Sequence, residues 1–175
     1  CQILADLQTV HEEFGDLGAR TVAWIGDGNN MAHSWIEAAG VLGFELRIAC
    51  PAGYEPSAQL LSSWAGRAKI LVTHSPLEAA TGADVVTTDV WASMGQEAEQ
   101  ELRAQAFADF KVDAGLMAQA HPRAIFLHCL PAHRGEEVIE QRARRCREGA
   151  ARAEGADGAA HGLTGPSVHD PHPRP

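Results

Sequence analysis

The sequence predicts an α/β fold, namely a Rossmann-like parallel sheet with helices on both faces that is followed by a disordered tail. Short apolar runs alternate with segments of helical periodicity, as in parallel strands joined by helical crossovers. The runs are almost continuously apolar, which is typical of strands buried on both faces of a sheet. Residues 139–175 are rich in Ala, Gly, Arg and Pro and cannot bury enough apolar surface to offset the entropy of ordering. We therefore expect one domain over residues 1–138 and a disordered tail over 139–175.

Each element in the first part of the domain carries a local signal. Apolar side chains recur on one helical face over residues 3–14, and Gly15 then ends that helix. The apolar run 21–25 is a short buried strand that stops at Gly26. The segment 31–42 has the composition of a helix and is followed by another glycine.

The remaining elements continue this alternation. A strand over residues 44–49 is stopped by Pro51, and a helix over 57–68 begins with Ser57 as its N-cap. After these we expect a strand at 70–73, a helix at 76–81, a strand at 85–88, a helix at 97–110 and a final strand at 124–127.

Composition and charge exclude several classes of protein. The 175 residues are 45% hydrophobic and 21% charged, which is the balance of a globular protein with a sizeable core. The chain has 14 Lys and Arg residues and 23 Asp and Glu residues, which gives a net charge of -9. Such a charge argues against binding to nucleic acid or to an anionic membrane. No apolar run approaches the ~20 residues that span a bilayer, and no signal peptide is visible. The 4 cysteines lack disulfide or metal-site spacing, so we expect reduced thiols in a cytoplasmic protein.

Polar residues follow three of the predicted strands, at the carboxyl ends where parallel sheets bind ligands. The loop after the first strand reads GDGNNM over residues 26–31. It lacks the third glycine of a dinucleotide fingerprint, and the second strand ends without a ribose-binding acid, so a nicotinamide or flavin cofactor is disfavoured. One of Asn29 and Asn30 is expected to cap the next helix, which leaves the other free to bind a carboxylate.

The loops after the fourth and fifth strands carry an acid and a thiol. Asp89 either binds a substrate cation or caps a turn, and Ser93 with Gly95 suits a flexible polar loop. Cys129 is either inert core packing or part of a reacting centre beside that acid. The residues alone indicate only that an α/β sheet carries a binding site for a small molecule.

Three segments together resemble the ornithine carbamoyltransferase family. They are GDGNNM at 26–31, DVWASMGQE at 89–97 and FLHCLP at 126–131. The opening CQILADL at 1–7 resembles the stretch that follows the family's His-Pro pair. The match runs in order through residues 1–138, and four motifs in order are far more specific than any one of them. The His-Cys-Leu-Pro and Ser-Met-Gly elements favour ornithine over aspartate as the substrate.

The resemblance implies transfer of a carbamoyl group from carbamoyl phosphate to ornithine, which gives citrulline and phosphate without a cofactor or a metal. Asp89 would hold the side-chain amine, and Cys129 would lie where the two substrates meet, so both are candidate catalytic residues. His128 would be structural support. The residues expected to bind ornithine are Asn30, Asp89, Ser93 and Met94, and those expected to contact carbamoyl phosphate are Gln2, Cys129 and Leu130. The resemblance also implies a cytoplasmic homotrimer that acts in amino-acid metabolism, such as arginine biosynthesis.

The sequence also departs from the family. The amino-terminal domain with its Ser-Thr-Arg-Thr-Arg phosphate loop is absent, so we expect the chain by itself to be inactive. An alternative is a catalytically dead carbamoyltransferase-like module that binds an amino acid, although the joint presence of Asp89, Ser93 and Cys129 argues against it. A GC-rich gene read out of frame gives a composition like that of residues 139–175, so a frameshift is one hypothesis for the tail.

Overall fold

A parallel six-stranded sheet forms the centre of the molecule. The computed structural model describes residues 1–91, 100–129 and 137–138 and the backbone of 146–148. The strands are β1 (Thr21–Ile25), β2 (Glu45–Ala49), β3 (Lys69–Thr73), β4 (Val85–Thr88), β5 (Ile125–His128) and β6 (Cys146–Glu148). They lie in the order β3-β2-β1-β4-β5-β6, and every pair of neighbours is parallel. The predicted fold class is confirmed.

Helices cover both faces of the sheet. They are α1 (Gln2–Phe14), α2 (Asn30–Leu42), α3 (Ala58–Ser63), α4 (Pro76–Ala80), α5 (Gln100–Ala106) and α6 (Ala114–Met117). Side chains alternate across β1, so Trp24 packs with Trp35 of α2 on one face while Ile25 packs with Phe107 on the other. The first face is covered by α1, α2 and α3, and the second by α4, α5 and α6. Two apolar layers therefore hold the sheet from both sides.

The strand order places three predicted loops side by side. From β1 the chain runs to β2 and β3 on one side, and it then returns to place β4 and β5 on the other side. Trp24 pairs with Thr87, and Thr88 pairs with His128, so the carboxyl ends of β1, β4 and β5 meet at one edge. The reversal of strand order at β1 and β4 opens the crevice in which such sheets bind ligands.

Some boundaries differ from the sequence prediction. Helix α3 ends at Ser63 rather than at residue 68, because Gly66 adopts a φ of 75°, which a helix does not allow. The short helix α6 was not predicted. Strand β6 was not predicted either, and it lies within the segment that we expected to be disordered. The rest of 139–175 lies outside the described residues, and the disorder expected of the tail stays a prediction.

None of the helices in the described part of the chain is long and apolar enough to span a bilayer.

Candidate functional site

Asn29 links the loop after β1 to the loop after β4. Its Oδ1 atom accepts hydrogen bonds from the main-chain amides of Met31 (2.9 Å) and Ala32 (3.2 Å), which caps helix α2. Its Nδ2 atom donates to Oδ2 of Asp89 at 3.2 Å. The cap fixes which end of the amide faces Asp89. Of the two candidate asparagines, Asn29 is thus the cap, and Asn30 is exposed.

Asp89 receives hydrogen bonds from three directions. Besides the bond from Asn29, its Oδ1 atom accepts from the main-chain amide of Val90 at 2.7 Å and from the thiol of Cys129 at 2.9 Å. The residue is half-buried. Three converging donors hold a carboxylate in one orientation, so Asp89 offers a fixed negative charge at the carboxyl edge of the sheet.

Cys129 is a neutral donor in this arrangement. Burial raises the pKa of its thiol well above the ordinary value, and the hydrogen bond to Asp89 and the negative charge of that carboxylate raise it further. A group with such a pKa keeps its proton at neutral pH. The thiol therefore supports the Asp89 carboxylate and is not poised as a thiolate nucleophile.

His128 lies under the site and is 2% exposed. Its Nδ1 atom donates to the main-chain carbonyl of Cys129, because a carbonyl oxygen can only accept. Its Nε2 atom lies 3.1 Å from Oε1 of Glu137, which is fully buried. These contacts orient the chain at Cys129.

Helix α1 brings a buried carboxyl group to the same region. Gln2 donates from Nε2 to Oδ1 of Asp6 at 2.9 Å, and Asp6 is 3% exposed. Burial raises the pKa of Asp6 to about 6, although the hydrogen bond from Gln2 and the electrostatic effect of His128 oppose that shift. The charge of Asp6 in turn contributes to the raised pKa of Cys129.

Gly28 allows two loops to meet beside Asn29. A Cβ atom at this position would lie 2.3 Å from the main-chain nitrogen of Pro56, far inside any real contact. The amide of Gly28 donates to the carbonyl of Tyr54 at 2.8 Å. Only glycine permits this approach, so the loop after β2 buttresses the loop that carries Asn29.

Arg103 of α5 is a buried residue that sequence analysis missed. Its Nη2 atom pairs with the carboxylate of Asp27, and its Nε atom donates to the main-chain carbonyl of Trp91. Its guanidinium lies over the rings of Tyr54 and Phe107, at 5.0 and 5.2 Å from their centroids. An arginine in a helix rich in Gln, Glu and Ala resembles a solvent-exposed residue, so nothing local in the sequence indicated its burial.

Comparison with known proteins assigns the chain to a family. Residues 19–144 match the model for "Aspartate/ornithine carbamoyltransferase, Asp/Orn binding domain". The chain belongs to the aspartate/ornithine carbamoyltransferase family. It is 60% identical over 138 residues to the ornithine carbamoyltransferase of Methylococcus capsulatus, covering 79% of this chain and 46% of that protein. It is also 60% identical over 138 residues to that of Halorhodospira halophila, covering 79% and 45%.

A solved structure supports the same conclusion. The ornithine carbamoyltransferase from Thermus thermophilus superposes with a TM-score of 0.74 at 43% identity, covering 84% of this chain and 48% of that one. The family resemblance seen in the sequence is confirmed. This chain spans about half the length of the relatives that it matches.

The structure brings some of the predicted site residues together. Asp89 and Cys129 are in direct contact, and Asn29, which was considered as a cap, joins them. Asn30 is exposed, and its side chain makes no hydrogen bond within the described residues. Gln2 contacts Asp6. The predicted residues Ser93, Met94 and Leu130 lie outside the described part of the chain.

Proposed function

We propose that the protein containing this chain transfers a carbamoyl group from carbamoyl phosphate to the side-chain amine of ornithine, giving citrulline and phosphate. The observation that carries the proposal is the Asp89 carboxylate, which three donors hold at the carboxyl edge of the sheet. Family membership and relatives named ornithine carbamoyltransferase support the reaction class. An alkylammonium group is the natural partner of such a carboxylate.

Charge favours ornithine over aspartate within this family. The second carboxylate of aspartate would need an unpaired cation, whereas the described residues of the loops after β1 and β4 present the acids Asp27 and Asp89. Arg103 lies there but is already paired with Asp27. A carboxylate placed next to Asp89 would meet repulsion, and the amine of ornithine would meet attraction.

The proposed chemistry needs the amine to lose a proton before it attacks. Asp89 orients the amine and accepts that proton. The neutral amine nitrogen then forms a bond to the carbonyl carbon of carbamoyl phosphate, and the bond from that carbon to the phosphate oxygen breaks, so phosphate leaves with the electron pair. The nitrogen gives up its second proton to the departing phosphate, which leaves a neutral N–H in citrulline. Cys129 acts as a neutral thiol that holds Asp89.

The other proposed contacts follow the family resemblance. Asn30, Ser93 and Met94 bind the rest of ornithine. Gln2 and Leu130 contact the carbamoyl group, as Cys129 does. Carbamoyl phosphate carries about two negative charges, and these residues do not supply the cations that would stabilise them. We therefore assign the phosphate site to the part of the relatives that this chain does not cover.

Assembly and location are also part of the proposal. We infer a cytoplasmic homotrimer that serves amino-acid metabolism, such as arginine biosynthesis, because the family resemblance implies it. Light scattering on a purified active protein tests the assembly, and a mass other than three subunits or a multiple of three would reject it.

A chimera tests the reaction. The matched segment of this chain replaces its counterpart in the Methylococcus capsulatus relative, which is 60% identical over that length. The chimera should form citrulline from ornithine and carbamoyl phosphate and should not carbamoylate aspartate. If the parent relative is active and the folded chimera is not, the alternative of a catalytically dead binding module gains support, and calorimetry with ornithine then decides whether the module binds it.

A further inference from the structure

The side chain of Arg103 joins three segments of the chain at the carboxyl edge of the sheet. It pairs with Asp27 in the loop after β1 and donates to the carbonyl of Trp91 in the segment after β4. The ring of Tyr54, from the loop after β2, stacks on the guanidinium. The arginine is only 6% exposed, so water does not compete effectively for these contacts.

Two of these segments carry the groups that build the candidate site. Asp27 is two residues before Asn29, and Trp91 is two residues after Asp89. The Asn29–Asp89 hydrogen bond, at 3.2 Å, spans the same gap that Arg103 bridges. The loop after β1 is fixed further, because the indole of Trp24 donates to the carbonyl of Asp27 at 2.9 Å. Arg103 is therefore placed to set the distance between Asn29 and Asp89.

The chemistry of arginine suits this task. The guanidinium is planar and presents donors in several fixed directions, so one side chain can hold a carboxylate and a carbonyl at once while it stacks on a ring. A lysine ammonium is a single point of charge and cannot reproduce that geometry.

We propose that Arg103 is a positioning residue, which joins the loop after β1 to the segment after β4 and so keeps Asn29 and Cys129 in contact with Asp89. The proposal deepens the proposed function, on which its kinetic consequence rests. It also has a consequence that does not depend on that function, because loss of the contact with Asp89 changes the reactivity of the Cys129 thiol.

Alkylation of the 175-residue chain with iodoacetamide tests the proposal directly. Trypsin places Cys129 in the peptide 124–134 and Cys50 in the peptide 48–67, so mass spectrometry follows each thiol separately. In Arg103→Gln we expect Cys129 to react at least about fivefold faster, because local opening exposes the thiol and a displaced Asp89 no longer raises its pKa. The buried thiol of Cys50 should keep its rate, because the sheet itself remains closed.

Two further variants make the result decisive. Asp27→Asn removes the charge of the same pair with little change of shape, and it decides the question if Arg103→Gln does not fold. Arg20→Gln is the matched control, since Arg20 pairs with Asp84 at 3.6 Å and joins the same strands β1 and β4 at their amino ends. Faster alkylation of Cys129 that clearly exceeds any change at Cys50 in the first two variants, and that is absent in the control, supports the proposal. A small change at Cys50 is expected in Asp27→Asn, because the charge of Asp27 contributes to the raised pKa of that thiol. Equal acceleration of Cys129 and Cys50, or no change at all, overturns it.

The chimera adds a kinetic readout that a purely structural role would not alter. Arg103→Lys and Asp27→Asn should raise KM for ornithine about tenfold while KM for carbamoyl phosphate changes less than about twofold, and Arg20→Gln should change neither. An unchanged KM for ornithine in an active chimera overturns the proposal. A chimera that is inactive without any of these substitutions overturns the proposed function instead, and the alkylation result then still decides the role of Arg103.

Discussion

Replacement of Asp89 by Asn is the sharpest perturbation of the site, because it keeps the shape and removes the charge. Oδ1 of Asp89 accepts from both Val90 and Cys129, so the amide oxygen of Asn must take that position. Its NH₂ group then faces Nδ2 of Asn29, and two donors meet across about 3.2 Å. Asn29 cannot turn its amide around without losing the cap on helix α2. The substitution thus breaks the contact between the two loops as well as the contact with a substrate amine.

The expected losses differ between stability and catalysis. Loss of one hydrogen bond to a charged group costs about 1.5–3 kcal/mol, and relief of the partly buried charge offsets some of that cost. Removal of one partner from a substrate ion pair costs about 2–5 kcal/mol of transition-state binding. With about 1.4 kcal/mol for each factor of ten, kcat/KM for ornithine should fall about 30-fold to about 5,000-fold. The effect on activity should therefore exceed the effect on folding.

Citrulline formation by the chimera and thermal unfolding of the same samples measure both quantities. The matched control is Asp16→Asn, because Asp16 is exposed in the loop before β1 and accepts from the amide of Gly18 through one oxygen, which Asn retains. The control should keep both activity and melting temperature. If Asp89→Asn retains kcat/KM for ornithine within about threefold, Asp89 does not meet the amine and the reasoning fails.

Three further predictions concern a thiol, a buried acid and a glycine. Cys129→Ala should lower kcat/KM about two- to tenfold through loss of one weak donor to the carboxylate, and bound ornithine should slow alkylation of Cys129 in the unmodified chain. Because burial raises the pKa of Asp6 from 3.8 to about 6, the folded state holds a proton that the unfolded chain releases, so stability should fall by up to about 3 kcal/mol as pH rises from about 4 to about 7. Asp6→Asn should remove that pH dependence in urea titrations. Gly28→Ala should cost about 1–3 kcal/mol in thermal unfolding because its Cβ meets Pro56, whereas Gly18→Ala, with contacts of 3.4 Å, is the control.

Each of these predictions has a contrary result. Alkylation of Cys129 that is indifferent to ornithine would place the thiol in the core rather than in the site. A pH dependence of unfolding that is the same in Asp6→Asn and the unmodified chain would assign the slope to other groups. Equal melting temperatures for Gly28→Ala and Gly18→Ala would mean that the loops have room to separate.

The sheet could be predicted from the sequence because its signals are local. Strand β1 is an apolar run that ends at Gly26, and β2 alternates charged and apolar residues and ends before Pro51, so each boundary is marked within a few residues. Because parallel sheets bind ligands at the carboxyl ends of their strands, the sequence also predicts that Asp89 and Cys129 lie close together. The expected reaction and its substrates came from the resemblance to the family and not from the residues alone.

The features that were missed depend on residues far apart in the chain. Arg103 pairs with Asp27 across 76 residues, and no pattern within helix α5 distinguishes it from a solvent-exposed arginine. Strand β6 has the sequence Cys-Arg-Glu in a segment poor in apolar residues, and its pairing with β5 uses main-chain groups, which composition does not indicate. The choice of Asn29 over Asn30 as the cap depends on where α2 begins, and boundaries are the weakest part of any such prediction.

The strand order also determines at which stage of folding the Asn29–Asp89 contact can form. The pairs β1–β2, β2–β3 and β4–β5 join neighbours in sequence, whereas the pairing of β1 with β4 skips two strands and brings Asn29 to Asp89 across a span of 60 residues. Because longer spans carry a larger loop-closure entropy, we expect β4 and β5 to join the edge of β1 after β2 and β3 have paired. A partly folded chain that holds only β1, β2 and β3 lacks Asp89 in place, which is the carboxylate proposed to bind the amine. Under the proposed function, ornithine should therefore bind only a sheet that contains β4, and by mass action it should stabilise that sheet against less complete forms.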